Sequence, residues 1–384
     1  MAQWKGRQRK YRYNFDFSLI ICIFARQYKN YRIMGNKIVT FGELMLRFSK
    51  EDKKRLSQGR MYCGNYGGSE ANVAVSLAMQ GDDVEYVTRL PASQMGRSGA
   101  MKLRELGVGT SHIIYGGDRI GVYYFEEAAS LRNASVGYDR ANSAYYYLQP
   151  GMIDWRSALK DAAVLHVSGI TAAITEPAAD ATFEAIEVAE QLGLTISIDL
   201  NYRKNLWRYP GAQARETLCR MAEHADVMFG DVIEYEYITQ HEKIPFLPES
   251  SDYDMNLNAY SRWYDDLHRL FPRCRKMMIG MRNEVSSSHH FLTALLWTDG
   301  RMLNTRIVDI PQVVDPMGVG DAFSAGFLHA LRKTPDDDQL ILDYSLAAAS
   351  LKNTIAGDFN LSTEEEIIEV MNANYQIYDI KKYD

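Results

Sequence analysis

The sequence predicts an α/β fold: a mainly parallel sheet covered by helices, with a smaller β-sheet beside it. Three observations carry this. Short apolar runs bounded by turn residues recur along the chain, and helix-period segments with recognisable caps separate them. Two further stretches are rich in alternating aromatic, aliphatic and basic residues and carry few helix signals. Alternation of strand and helix is the pattern of a sheet with helical crossovers, which binds ligands beyond the carboxyl ends of its strands.

Taken in order, Lys37-Ile38-Val39-Thr40-Phe41 before Gly42-Glu43 reads as the first buried strand, opening shortly after Met34. Further strand-like runs lie at 84–90, 163–167, 194–200, 227–229, 276–281 and 291–297. Between them, 69–80 and 177–192 read as helices. The second has Thr175 as N-cap, Pro177 in its first turn and Gly193 just past its end. Residues 44–63 and 112–148 are the two β-rich stretches and predict the small sheet, a lid. Residues 241–262, with two prolines, read as a surface insertion. No internal repeat or low-complexity tract is visible.

A chain of 384 residues with 46% hydrophobic content can bury a full core, as one large domain or two smaller ones. A net charge of −6 argues against nucleic acid or an anionic membrane as the main partner. Residues 1–33 stand apart, with eight Lys/Arg against one Asp around an apolar run at 17–25 that is too short to span a bilayer. No convincing small-residue cleavage site follows that run. The expectation is a disordered or loosely helical leader ahead of a domain at 34–375. Cys22, Cys63, Cys219 and Cys274 lie far apart with no CxxC or Cys/His spacing, which suits free thiols in a reducing cytoplasm.

The chemistry concentrates at Asp315-Pro316-Met317-Gly318-Val319-Gly320-Asp321-Ala322-Phe323-Ser324-Ala325-Gly326-Phe327. Two glycines and an acid open an apolar helix-forming run. Gly318, Val319 and Gly320 can point successive N–H groups into one concavity at a helix N-terminus, where an anion is favoured. Asp321, in the first turn, can take a proton from a hydroxyl held in line with a phosphoryl group. The plainer reading is a glycine loop with Asp321 as an ordinary cap. A dinucleotide fingerprint would need glycine where Phe323 stands, and a P-loop needs Gly-Lys-Ser/Thr. Upstream, Gly67-Gly68-Ser69-Glu70-Ala71-Asn72-Val73-Ala74 places small residues before an Ala-rich helix, with Asn72 able to donate to and accept from a polyol.

The first run resembles the C-terminal signature D-x-x-G-x-G-D-x-F-x-x-G of the ribokinase-like (PfkB) carbohydrate kinases, at every fixed position. The second is similar to the family's N-terminal sugar-binding stretch, G-G-x-x-x-N-x-A. Gly121-Val122-Tyr123, Tyr138-Asp139-Arg140, Asp199-Leu200-Asn201-Tyr202-Arg203 and Gly357-Asp358 look like the 2-keto-3-deoxygluconate kinase branch. The resemblance runs from Met34 to about residue 370. It implies a three-layer α/β/α fold with a β lid, pairing of lids in a homo-oligomer, and a cytoplasmic enzyme using ATP and Mg²⁺. It implies sugar contacts at Gly68, Asn72, Tyr123, Tyr138, Arg140, Arg203 and Asp358, with Asp321 touching the sugar as general base. It also implies nucleotide contacts at Asn201, Asp231, Arg282 and Asn353, and Mg²⁺ held through water by Asp231 and Glu234. Two planar guanidinium forks suit a carboxylate, so an acidic sugar fits better than a neutral one.

The departures fall on the nucleotide side. The family's N-x-x-E appears as Asp231-Val232-Ile233-Glu234, and its Lys-x-Gly turn is replaced by 282–290, read as a loop of solvated serines and histidines with Arg282 standing in for the lysine. Three alternatives stay open. One is a neutral-sugar or nucleoside kinase in which Arg140 and Arg203 pair with nearby acids, Arg140 with the adjacent Asp139. The others are a sugar sensor without catalysis, and attachment to a membrane through residues 1–33.

Overall fold

The structure, a computed structural model, describes residues 35–240 and 257–373. The leader at 1–33 and residues 241–256 of the expected insertion lie outside the described residues. The strands are β1 (Lys37–Phe41), β2 (Met45–Ser49), β3 (Cys63–Gly67), β4 (Val84–Leu90), β5 (Ile113–Tyr115), β6 (Gly121–Glu126) and β7 (Ser135–Asp139). They continue as β8 (Ala162–Ser168), β9 (Thr195–Asp199), β10 (Val227–Phe229), β11 (Lys276–Ser286), β12 (His289–Thr298), β13 (Arg301–Asn304) and β14 (Val308–Ile310).

The large sheet has the order β13-β12-β11-β10-β9-β8-β1-β4-β5, with β14 also on β12. Every pairing from β5 to β11 is parallel, and only β12, β13 and β14 run antiparallel to their partners. Helices cover both faces, and the period-two alternation of the strands divides their side chains between them. Val39, Phe41, Leu165, Val167, Met277 and Ile279 pack with the helix Glu176–Leu192 and its neighbours on one face. Ile38 and Val164 face the helix Ser69–Met79 on the other. Val227, Phe229, Met278 and Leu296 meet the helices Val319–Lys333 and Asp338–Lys352 on that same second face. This is the expected three-layer arrangement.

The helix Glu176–Leu192 forms as its caps predict. Thr175 accepts from the N–H of Ala178, and Gly193 closes the helix in the left-handed region at φ 72°. Residues 257–262, read as insertion, instead open the helix Leu257–Leu270. Its Tyr260, Trp263, Tyr264 and Leu267 are buried at i, i+3, i+4 and i+7, the apolar stripe of a helix packed on the core. The two prolines ahead of this stripe obscured it.

The small sheet has the order β3-β2-β6-β7, with β2 and β6 parallel. The expected boundaries need two corrections. β3 reaches beyond residue 63 into the glycine pair, and β5 joins the large sheet beside β4 rather than the lid. The 282–290 segment is likewise no loop. β11 and β12 pair from Lys276↔Thr298 to Ser286↔His289, leaving Ser287-Ser288 as the turn. His290 is buried there, and His289 pairs with Asp309 at 2.7 Å.

Candidate active site

A cavity of about 860 Å³ lies at the carboxyl ends of the parallel strands and is walled on one side by the lid. Its lining includes Gly68, Asn72, Tyr123, Tyr138, Arg140, Asn201, Arg203, Asp231, Arg282, Gly318, Val319, Gly320, Asp321 and Asp358. Residues from widely separated parts of the chain meet there because parallel strands direct every βα turn to one edge of the sheet.

Asp321 sits in the first turn of the helix Val319–Lys333. The turn before that helix depends on Gly318, which adopts φ 79°, and a Cβ there would come 2.1 Å from the Asp358 main-chain oxygen. Gly320 differs. A Cβ on it would meet no protein atom within 4 Å, so the fold does not require glycine there. The space it leaves open is on the cavity wall, where a ligand would approach the amides.

Asp321 Oδ1 accepts from Ser69 Oγ at 2.8 Å, and Oδ2 accepts from Asn72 Nδ2 at 2.7 Å. Burial raises its pKa, while the Asn72 and Ser69 hydrogen bonds pull it back. The helix Ser69–Met79 thus presents two donors that hold the carboxylate in one rotamer. Its entry is tight: a Cβ on Gly68 would lie 2.2 Å from the Glu43 main-chain oxygen.

A second polar cluster lies beneath the turn. Arg47, on lid strand β2 and 2% exposed, donates through Nη2 to Asp315 at 2.6 Å and through Nη1 to Asp358 at 2.9 Å. The Tyr123 hydroxyl donates a hydrogen bond to the other Asp358 oxygen. Burial pushes the Asp358 carboxyl up to about 6 against the pull of Arg47. Tyr123 and Asp358 therefore reach the cavity wall already bonded to each other. Asp315 also accepts from the N–H groups of Met317 and Gly357, each at 3.0 Å. The sequence pattern alone assigns no role to Arg47, Ser69 or Glu43. For Arg47 the signal was a charged residue inside the apolar run Met-Leu-Arg-Phe.

Arg140 does not pair with Asp139, which bonds Arg119 at 2.9 Å. It lies 3.5 Å from Glu43 instead, with its guanidinium carbon 4.8 Å from the centre of the Tyr138 ring. Its buried Nε and Nη1 have no hydrogen-bond acceptor, nor does Glu43 Oε2 have a donor. Burial raises the Glu43 carboxyl against the Arg140 charge. Arg203 is exposed, lines the cavity and makes no ion pair among the described residues. Two guanidinium groups with donor capacity thus border the space above Asp321.

Elsewhere on the lining, Asn201 is held by Asp199 through its main-chain N–H and its Nδ2, each at 3.1 Å. Asp231 caps the helix Val232–Thr239 in a capping box with Glu234. Arg282 pairs with Glu284 at 2.8 Å. Two expected contacts do not reach the wall. Asn353 is fully buried, its Nδ2 bonded to Ala349, because the helix Asp338–Lys352 carries it under the turn. Glu234 spends its oxygens on the N–H groups of Tyr202 and Asp231, and burial raises its pKa. Among the described residues, no group of three His, Cys, Asp or Glu could hold a metal ion. Asp231 lines the cavity there with Glu284, which Arg282 already engages, and this sparse set fits an ion carried on nucleotide phosphates rather than one caged by protein.

The chain belongs to the pfkB family of carbohydrate kinases, whose family model matches residues 36–256. It is 28% identical over 342 residues to a 2-dehydro-3-deoxygalactonokinase of Haloferax volcanii, covering 88% of this chain and 97% of that protein. The crystal structure of 2-dehydro-3-deoxygluconokinase from Thermotoga maritima superposes with a TM-score of 0.80 at 34% identity, over 88% of this chain and 99% of that one. Fructokinase from Xylella fastidiosa with bound ATP superposes with a TM-score of 0.69 over 88% and 98%, and at 21% identity it speaks for the fold alone. The fold is ribokinase-like and the protein is a carbohydrate kinase close to the 2-keto-3-deoxy sugar kinases. No helix among the described residues is long and apolar enough to cross a membrane.

Proposed function

We propose that this kinase transfers the γ-phosphoryl group of ATP to the primary hydroxyl of 2-keto-3-deoxygluconate, giving the 6-phosphate. The observation that carries the reading is Arg140 and Arg203 bordering one cavity with Asp321. Arg140 Nη1 faces Glu43 at 3.5 Å in an ion pair without a hydrogen bond, its Nε has no acceptor, and Arg203 has no ion pair among the described residues, so a sugar carboxylate could take up the spare donors of both. A neutral sugar offers them nothing of that kind.

In this reading Asp321 accepts the proton of the attacking hydroxyl, while Ser69 and Asn72 hold its carboxylate in line. The N–H groups of Gly318 to Gly320, at a helix N-terminus, stabilise charge on the transferring group. Mg²⁺, bound with the nucleotide phosphates near Asp231, would supply charge neutralisation. The lid limits access of water, a competing phosphoryl acceptor. Asn201, Asp231 and Arg282 make up the donor-side wall.

The test is ADP release with ATP and Mg²⁺, comparing 2-keto-3-deoxygluconate, its galactonate epimer, fructose, ribose and adenosine. Selective turnover of the keto-deoxy gluconate is the expected result. Preference for the galactonate epimer would keep the carboxylate clamp and change the stereochemistry. Preference for a neutral sugar or nucleoside would remove the clamp from the reading.

A further inference from the structure

Lys352 is the last residue of the helix Asp338–Lys352 and is fully buried. Lysine is among the residues least often found in such a place without a carboxylate partner. Here no carboxylate touches it. Its Nζ donates to two main-chain oxygens, that of Asp315 at 3.2 Å and that of Ile355 at 2.9 Å.

Those two carbonyls belong to the two segments that build the anion-holding turn. The main chain at Val314 donates to Asn353 O at 2.8 Å, and Gly357 N–H donates to Asp315 Oδ2 at 3.0 Å. Gly318 then presses against the Asp358 main-chain oxygen, leaving no room for a side chain. The position of the Gly318–Gly320 amides is therefore set by how 315–318 sits on 353–358. The ammonium bridges these two segments from below.

We propose that Lys352 is a positioning residue for phosphoryl transfer, its ammonium pinning the main chain on both sides of the turn that aims the Gly318–Gly320 amides. The inference rests on reading that turn as the phosphate-holding element. Burial pulls the Lys352 pKa down to about 8, while the Asp315 and Asp358 charges oppose that pull, so the group is mostly charged at neutral pH. Its place at a helix C-terminus favours a cation further. A methionine would fill the same space without offering a donor to either carbonyl.

The experiment measures kcat and sugar KM for Lys352→Met, with circular dichroism and thermal melting to establish the fold. Asp321→Asn runs alongside. The expected result is a fall in kcat of about 10²-fold, the scale of an ångström-sized misplacement. Sugar KM should stay within about threefold, because Arg140 and Arg203 are untouched. Lys352→Ala supplies a readout that a packing role would not move. Ammonium or methylammonium chloride should restore its turnover saturably, whereas sodium chloride at equal ionic strength should not.

A folded Lys352→Met with kcat within twofold of the parent overturns the assignment, as does a loss confined to KM. If either variant fails to fold, recovery of fold and turnover together in ammonium upholds it. Failure of ammonium to restore turnover overturns it. The underlying reading is judged separately. If Asp321→Asn also turns over normally, the turn is not the phosphoryl site. If Asp321→Asn is inactive while Lys352→Met is normal, only the role of Lys352 falls.

Discussion

The acceptor and donor sides of the cavity, as proposed above, are built differently. On the acceptor side, Asp321, Asp358 and Arg140 are buried beside partners far away in sequence, while Arg203 is exposed. Asp321 is held by Ser69 and Asn72, Asp358 by Arg47 and Tyr123, and Arg140 sits beside Glu43. On the donor side, Asp231 and Arg282 are exposed and satisfied by neighbours two or three residues along the chain. A buried polar group must find its partner within the fold, so each acceptor-side residue is fixed by several others. An exposed one can rely on water. Substitutions on the acceptor wall should therefore cut deeper than those on the donor wall.

The largest expected effect is at the floor of the acceptor side. Asp321→Asn should lower kcat by about 10³-fold, within the range for loss of a general base, while calorimetry finds sugar affinity within a few-fold of the parent. Retained turnover would remove Asp321 from the proton transfer. Next, Arg203→Met should raise KM for the keto-deoxy acid about 10- to 100-fold with kcat largely kept, as for loss of a charged hydrogen bond. Steady-state kinetics with the acid and with fructose decide it, since equal effects on both would mean that no carboxylate is being read.

A smaller effect sharpens the electrostatics. As the proposed base, Asp321 would act only when deprotonated, and burial raises its pKa above that of an ordinary aspartate. The kcat/KM profile should thus fall as pH drops through a value above that of an ordinary aspartate. Ser69→Ala removes a hydrogen bond that favours the charged form, so its acid limb should move to higher pH. A limb unmoved, or moved down, would break the link between Ser69 and Asp321.

The smallest effect is expected across the cavity. Arg282→Ala should change KM for ATP by no more than about threefold, because the side chain is exposed and paired with Glu284. A tenfold loss there would show that the donor wall depends on its side chains no less than the acceptor wall does, and would dissolve the contrast.

The fold class was legible in the amino-acid order, because period-two and period-3.6 patterns and helix caps are local properties. Thr175, Gly193 and the runs at 84–90 and 227–229 needed nothing beyond their neighbours. The glycine turn that opens the helix Val319–Lys333, with Asp321 in its first turn, was legible too, since Gly318 and Asp321 are spaced by the chain itself. The lid boundaries, the hairpin at 282–290 and the helix from Leu257 were misread where strand pairing or burial against the core outweighed local composition. The long-range partners came from packing. That Asp139 takes Arg119 and Arg140 takes Glu43, that Arg47 bridges Asp315 and Asp358, and that Asn353 lies beneath the turn are long-range outcomes. A buried charge is paired with whatever opposite charge the packed layers bring within reach, and adjacency in sequence does not specify that.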